Sequence, residues 1–223
     1  MTIREASTRF LEQRDPKNSQ CNEAHAPTIQ LLTMFLPDAA VAELTPARVR
    51  DFIARWYVEQ TNYQPPPSAM LNSLAAFLRW VKTHDPAGTE DGCLSVIAEL
   101  EKTLPRAMEI SRVLSSVLKS RGAFGFSEFL TSFEEGGRSQ YDVDVGGGGV
   151  KSIEGFFRLS RIDGSTVEAE ELISGQRVWA VVFPEGSLGV IETGYIINLE
   201  LVHGGDSWQI AASGFAYPPG TEF

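Results

Sequence analysis

The sequence predicts an α+β protein in which an all-α bundle of four to five helices is followed by a small antiparallel β-barrel or sandwich. Three observations carry this. Up to about Leu118 the apolar residues recur with a period near 3.6. After Gly137 the period falls to about 2, among β-branched and aromatic residues separated by turn signals. The strands so marked are short and closely spaced, leaving no room for the crossover helices that a parallel sheet requires. The expected division is a helical domain at 1–89, a helical connector at 90–137 and a β domain at 138–223.

Ile3 to Gln13 reads as the first helix, and Ile29, Leu32, Phe35 and Leu36 as one face of the next, closed by Pro37. Thr45 can cap a third helix, with Pro46 at a first position where its missing donor is not needed. From there Val49, Phe52, Ile53, Trp56 and Tyr57 fall on one stripe. Pro65, Pro66 and Pro67 end it, since each removes a donor and disfavours helix in the residue before. Ser68 can cap a fourth helix that places Leu71, Leu74, Ala75, Leu78 and Val81 on one side and stops before Asp85-Pro86. Two more stretches follow, through Leu94, Ile97 and Leu100 and through Ile110, Val113, Leu114, Val117 and Leu118, separated or kinked at Pro105. A short helix carries Phe126, Phe129, Leu130 and Phe133 up to Gly136-Gly137.

Strands are expected at about 140–145, 150–162, 165–172, 177–183, 188–192, 195–202 and 207–216. Asp163-Gly164 is a hairpin dipeptide, and His203-Gly204-Gly205-Asp206 marks a second turn. Val178 to Phe183 is apolar at every position and is expected to be central.

The net charge of −10 is uneven. Residues 1–118 carry 12 Lys/Arg against 14 Asp/Glu, and residues 119–223 carry 7 against 15, so the β half is the acidic half. Its field repels a phosphate backbone unless a local basic patch opposes it. No apolar run reaches the roughly 18 residues of a membrane span, and the opening residues show no signal core, so a cytoplasmic protein without a membrane partner is expected. Cys21 and Cys93 stand far apart, which indicates reduced thiols.

The chain has no GxSxG, HExxH, GxGxxG or Walker loop, so no catalytic residue and no cofactor is assigned. Gly146 to Gly149 precede a strand rather than a helix N-terminus and read as a flexible turn, not a phosphate cradle. Asp142 and Asp144 share one strand face and are the candidate metal ligands, against a solvated acidic surface. Glu168, Glu170 and Glu171 read as a charged strand edge. Cys21 and His25 are four apart but lack a third group to orient the imidazole, and His84 and His203 sit at a helix end and a turn. Trp208 and Tyr217 are candidate ligand-binding aromatics at a barrel edge, with core packing as the competing assignment.

One stretch carries a family likeness. Ile29–Leu36 (IQLLTMFL), Leu44–Ile53 (LTPARVRDFI) and Leu71–Trp80 (LNSLAAFLRW) give Ala26 to Asp85 a pattern that resembles the N-terminal core-binding domain of tyrosine recombinases and phage integrases. That domain is a four-helix, SAM-like module that clamps one side of DNA. The resemblance implies DNA contacts through Arg79 and Lys82 on the last helix and Arg48 and Arg55 on the one before, against plain solubilising charge. A β region stands where those enzymes carry their helical catalytic domain, so recombinase activity is not expected. The resulting expectation is a non-catalytic binding or adaptor protein, taking DNA through the helical module or a basic protein or peptide through the acidic β domain. The alternative is an enzyme or small-ligand binder whose site gathers Asp142, Asp144 and Trp208 at the junction of the halves.

Overall fold

The computed structural model describes residues 1–13, 19–85, 92–120 and 151–223, with side chains from Ala24 onward in the second span. Helices come first and strands last, the segregation along the chain that marks an α+β protein. Two units result, Met1–Pro105 with Glu222 and Arg106–Thr221 with Phe223. Their division falls inside α6 (Gly92–Ser120), a single helix that runs through Pro105.

In the first unit α1 (Ile3–Glu12) opens on a capping box. Thr2 Oγ1 accepts from the Glu5 amide at 3.2 Å while the Thr2 amide donates to the Glu5 carboxylate at 2.9 Å. α2 (Ser19–Phe35) begins well before the apolar stripe from Ile29 and continues through Pro27. α3 (Pro46–Asp51) starts on the Thr45 cap, whose side chain accepts from the Arg48 amide. It passes through a π-helical turn at Phe52–Trp56 into α4 (Tyr57–Thr61), which Asn62 closes in the left-handed region at φ 49°. α5 (Pro67–His84) starts one residue before Ser68, so Ser68 lies inside the helix rather than capping it. Pro67 needs no donor in that first turn. The apolar stripes of these helices bury Ile3, Leu32, Phe52, Tyr57, Leu74 and Phe77 completely.

The second unit joins the end of α6 to β1 (Ser152–Asp163), β2 (Thr166–Glu171), β3 (Arg177–Val182), β4 (Ile196–Gly204) and β5 (Ser207–Tyr217). Pairings run β1-β2-β3-β5-β4 and return to β1, so every strand has two neighbours. A wholly antiparallel sheet was the expectation. A closed cycle with an odd number of strands cannot alternate direction throughout, and the parallel contact falls between β3 and β5, through Val181 with Trp208 and Val182 with Gln209. The inward residues Phe157, Leu159, Val167, Val181, Ile197 and Leu201 form the core. Ala107, Ile110, Leu114 and Leu118 of α6 belong to the same core, and Ser111 Oγ accepts from the Ala216 amide at 2.7 Å. That bond satisfies a β5 donor at a position where β3 does not pair with it.

Two further expectations need correction. Residues 188–192 form turns, not a strand: Ser187 N bonds Pro184 O, and Val190 N and Ile191 N bond Ser187 O. Pro184, Gly186 and Gly189 bend the chain there, while Ile191, with Leu188 and Val190, still packs on the core. Nor is β2 an edge, since β1 and β3 flank it, and Glu171 is buried. The expected strand at 140–145, the Phe126–Phe133 helix, Gly146 to Gly149, Asp142 and Asp144 lie outside the described residues.

Candidate functional site

The β2–β3 hairpin shows how this sequence builds a presented surface. Glu171, the last residue of β2, turns inward and its carboxylate accepts from Ile173 N at 3.1 Å, Ser174 N at 2.7 Å and Ser174 Oγ. Burial by itself raises that carboxyl, and the bonds from Ser174 and Ile173 outweigh it, so the group rests below its ordinary value. Gly155 on β1 makes room for it, because a Cβ there would stand 2.8 Å from Glu171 Oε1. The pinned turn holds Ile173 outward with 79% of its surface exposed.

Six residues on, β3 carries a bulge. Val178 pairs with Ala169 and Val181 with Val167, so Trp179 and Ala180 together face the single residue Glu168. Ala180 takes φ 54°, a left-handed conformation that costs a non-glycine residue about 1–2 kcal/mol. Val178 and Val181 remain in the core, and Trp179 points out with 56% of its surface exposed.

Around Trp179 the outer face of β1–β3 holds most of the unit's basic charge. Of the four Lys/Arg in residues 151–223, three lie here: Arg158, Arg161 and Arg177. Arg158 meets Glu170 at 3.5 Å, and Arg161 meets Asp163 at 3.4 Å and Glu168 at 3.5 Å. Arg177 stands opposite Glu170 in register and has no ion-pair partner among the described residues. Elsewhere on the strands, Glu154 of β1 faces Glu200 of β4 in register, and partial desolvation followed by repulsion from Glu200 raises its carboxyl above the ordinary value.

The residues singled out from sequence are placed as follows. Arg48 is bridged to Glu43 at 3.2 Å and Arg55 to Asp51 at 2.7 Å, so each of these charges is already compensated locally. Arg79 and Lys82 are exposed near the end of α5. Arg79 lines a shallow cleft of about 160 Å³ between α5 and α6, with Leu71, Ala75, Ile97 and Glu101 among its walls. Trp208 is 8% exposed and belongs to the β core, with His203 edge-on to its ring and the Lys151 ammonium 5.7 Å from its centroid. Tyr217 is buried against Phe156 and Phe223. Both aromatics therefore pack; among the described strand residues the large aromatic exposed to solvent is Trp179, and Phe223 is half exposed beyond the last strand. In sequence Trp179 was hidden inside the run Val178 to Phe183, where uniform apolarity gives no alternation to tell one face from the other.

His25 lies within α2, its Nδ1 2.9 Å from Ser73 Oγ, and burial lowers its pKa. Cys93 is a buried cysteine whose Sγ donates to Leu44 O at 3.1 Å. Among the described residues no group of three or more His, Cys, Asp or Glu is placed to hold a metal ion, and no helix is long and apolar enough to cross a membrane. No family model, curated protein or solved structure matches the chain.

Proposed function

We propose that this chain is a non-catalytic binding or adaptor protein, that its five strands form a small barrel, and that its recognition surface is the outer face of β1–β3 centred on Trp179. The observation that supports this most directly is the exposed indole: strand alternation from the buried Val178 places Trp179 outward beside Arg177, and the bulge at Ala180 returns Val181 to the core. Ile173 at the hairpin tip adds a second exposed apolar group, and the Glu171 carboxylate keeps the tip rigid, which lowers the ordering cost of binding. Exposed Trp beside Arg is also the residue chemistry from which binding hot spots are most often made. Small five-stranded barrels of the oligonucleotide- and oligosaccharide-binding kind carry ligands on the face of their second and third strands, which corresponds to this position. Architecture alone carries no function. In the helical unit, DNA contact of the integrase kind would use the exposed Arg79 and Lys82, and Arg48 and Arg55 would first have to give up their bridges to Glu43 and Asp51.

Acrylamide quenching of tryptophan emission tests the assignment, because Trp208 is buried and Trp56 and Trp80 are half-buried. The Trp179→Phe protein supplies the difference signal. A 12-mer of deoxythymidine, a 12-base-pair duplex, a glutamate-rich peptide and a lysine-rich peptide are each expected either to shield Trp179 or to leave it open. Shielding by any one supports a recognition surface here. Full accessibility of Trp179 in the presence of all four overturns it.

A further inference from the structure

Taking that surface as the recognition face, we infer that its occupant is a single-stranded nucleic acid, held by stacking of an unpaired base on Trp179 with a neighbouring phosphate on Arg177. The two residues are i and i+2 on β3, so their side chains share the outer face about 6.6 Å apart along the strand, close to the reach from a base to its own phosphate. Arg177 has no ion-pair partner among the described residues, so a phosphate meets it without breaking a bridge. Arg158 and Arg161 lie on the adjoining strand and add positive charge at the cost of their pairing with Glu170, Glu168 and Asp163.

Elsewhere the unit repels a polyanion, so binding rests on the arginines of this face, of which Arg158 and Arg161 are already offset by Glu170, Asp163 and Glu168. Residues 151–223 carry 4 Lys/Arg against 10 Asp/Glu, and the opposed Glu154 and Glu200 repel phosphate from the β1–β4 side. Stacking selects an unpaired base, since a duplex keeps its ring faces covered. A glutamate-rich peptide would satisfy Arg177 but leave the Trp179 ring without a flat partner.

The test is anisotropy of a fluorescein-labelled deoxythymidine 12-mer with the full chain, across a salt series. The 12-mer is expected to bind and the duplex of equal length to bind at least tenfold more weakly. Trp179→Ala should weaken the 12-mer at least tenfold, whereas Trp179→Phe should retain part of the affinity. Arg177→Gln should lower the slope of log K against log salt by about 0.7, the value of one single-strand phosphate contact. Unchanged circular dichroism of the variants assigns these losses to the site rather than to the fold. Equal binding of duplex and single strand, or an unaltered affinity in Trp179→Ala, overturns the inference. If the 12-mer leaves Trp179 open to acrylamide while a peptide shields it, the occupant is wrong and the recognition face stands; if nothing shields it, both fall.

Discussion

Two side chains in the β unit sit where they cost stability, and each can be relieved separately. Glu154 is exposed, and its carboxyl is raised by partial desolvation on the strand and by Glu200 across the strand pair. A raised acid binds its proton more tightly when folded, so its favourable contribution is present below the ordinary value of 4.5 and is lost as pH rises through the folded value. Glu154→Gln is therefore expected to raise the thermal midpoint slightly at pH 7, and the gap from the parent should close at pH 4; equal midpoints at both pH values would contradict the repulsion from Glu200. Ala180 is the second case. Glycine at its left-handed φ removes about 1–2 kcal/mol of strain and gives back about 0.5–1 kcal/mol in unfolded-state entropy, so Ala180→Gly should gain roughly 0.5–1 kcal/mol in urea unfolding. Less rigid presentation of Trp179 should accompany that gain, read as faster acrylamide quenching.

At the scale of the element, the β2–β3 hairpin depends on one buried carboxylate. Because the bonds from Ser174 and Ile173 hold Glu171 below its ordinary value, its contribution is present above pH 4.5 and is lost as pH falls through the lowered value. Glu171→Gln keeps the shape and loses the charge-assisted bonds, for an expected cost of about 1.5–3 kcal/mol at pH 7 that shrinks in acid; amide exchange at Ile173 and Ser174 should speed up first. The sequence showed this element only in outline. Thr45-Pro46, the stripe from Val49 to Tyr57, Asp163-Gly164 and the alternation through Leu199 and Leu201 were legible because propensity, period and turn chemistry agreed there. Leu188, Val190 and Ile191 misled because apolar side chains on a turn can cover a core as well as those on a strand. Trp179 and Glu171 were illegible for a related reason. A bulge changes which neighbour faces outward without leaving a residue-type signature, and a carboxylate's inward turn depends on Gly155, sixteen positions away.

Over the whole chain, the hydrophobic period changes near Gly137, the first described strand begins at Ser152, and the division between the two units falls earlier, at Pro105 and Arg106. The reason lies in what the β core needs. Inward side chains from five short strands leave part of it to be filled by Ala107, Ile110, Leu114 and Leu118, which recur at helical spacing on one face of α6. Burying each of the three larger ones contributes about 1.5–3 kcal/mol, and Ser111 adds the acceptor for Ala216 N. Together these rival the 5–15 kcal/mol by which a domain is ordinarily stable. A fragment of residues 106–223 should therefore unfold cooperatively with a native β signature, whereas residues 138–223, the boundary suggested by periodicity, should lack a cooperative transition and bind dyes that report exposed apolar surface. Leu114→Ala in the full chain offers the same test without truncation: a loss of about 2–5 kcal/mol is expected, with amide exchange accelerated across β1, β4 and β5. Cooperative folding of 138–223 alone would show that the strands close their core without the helix.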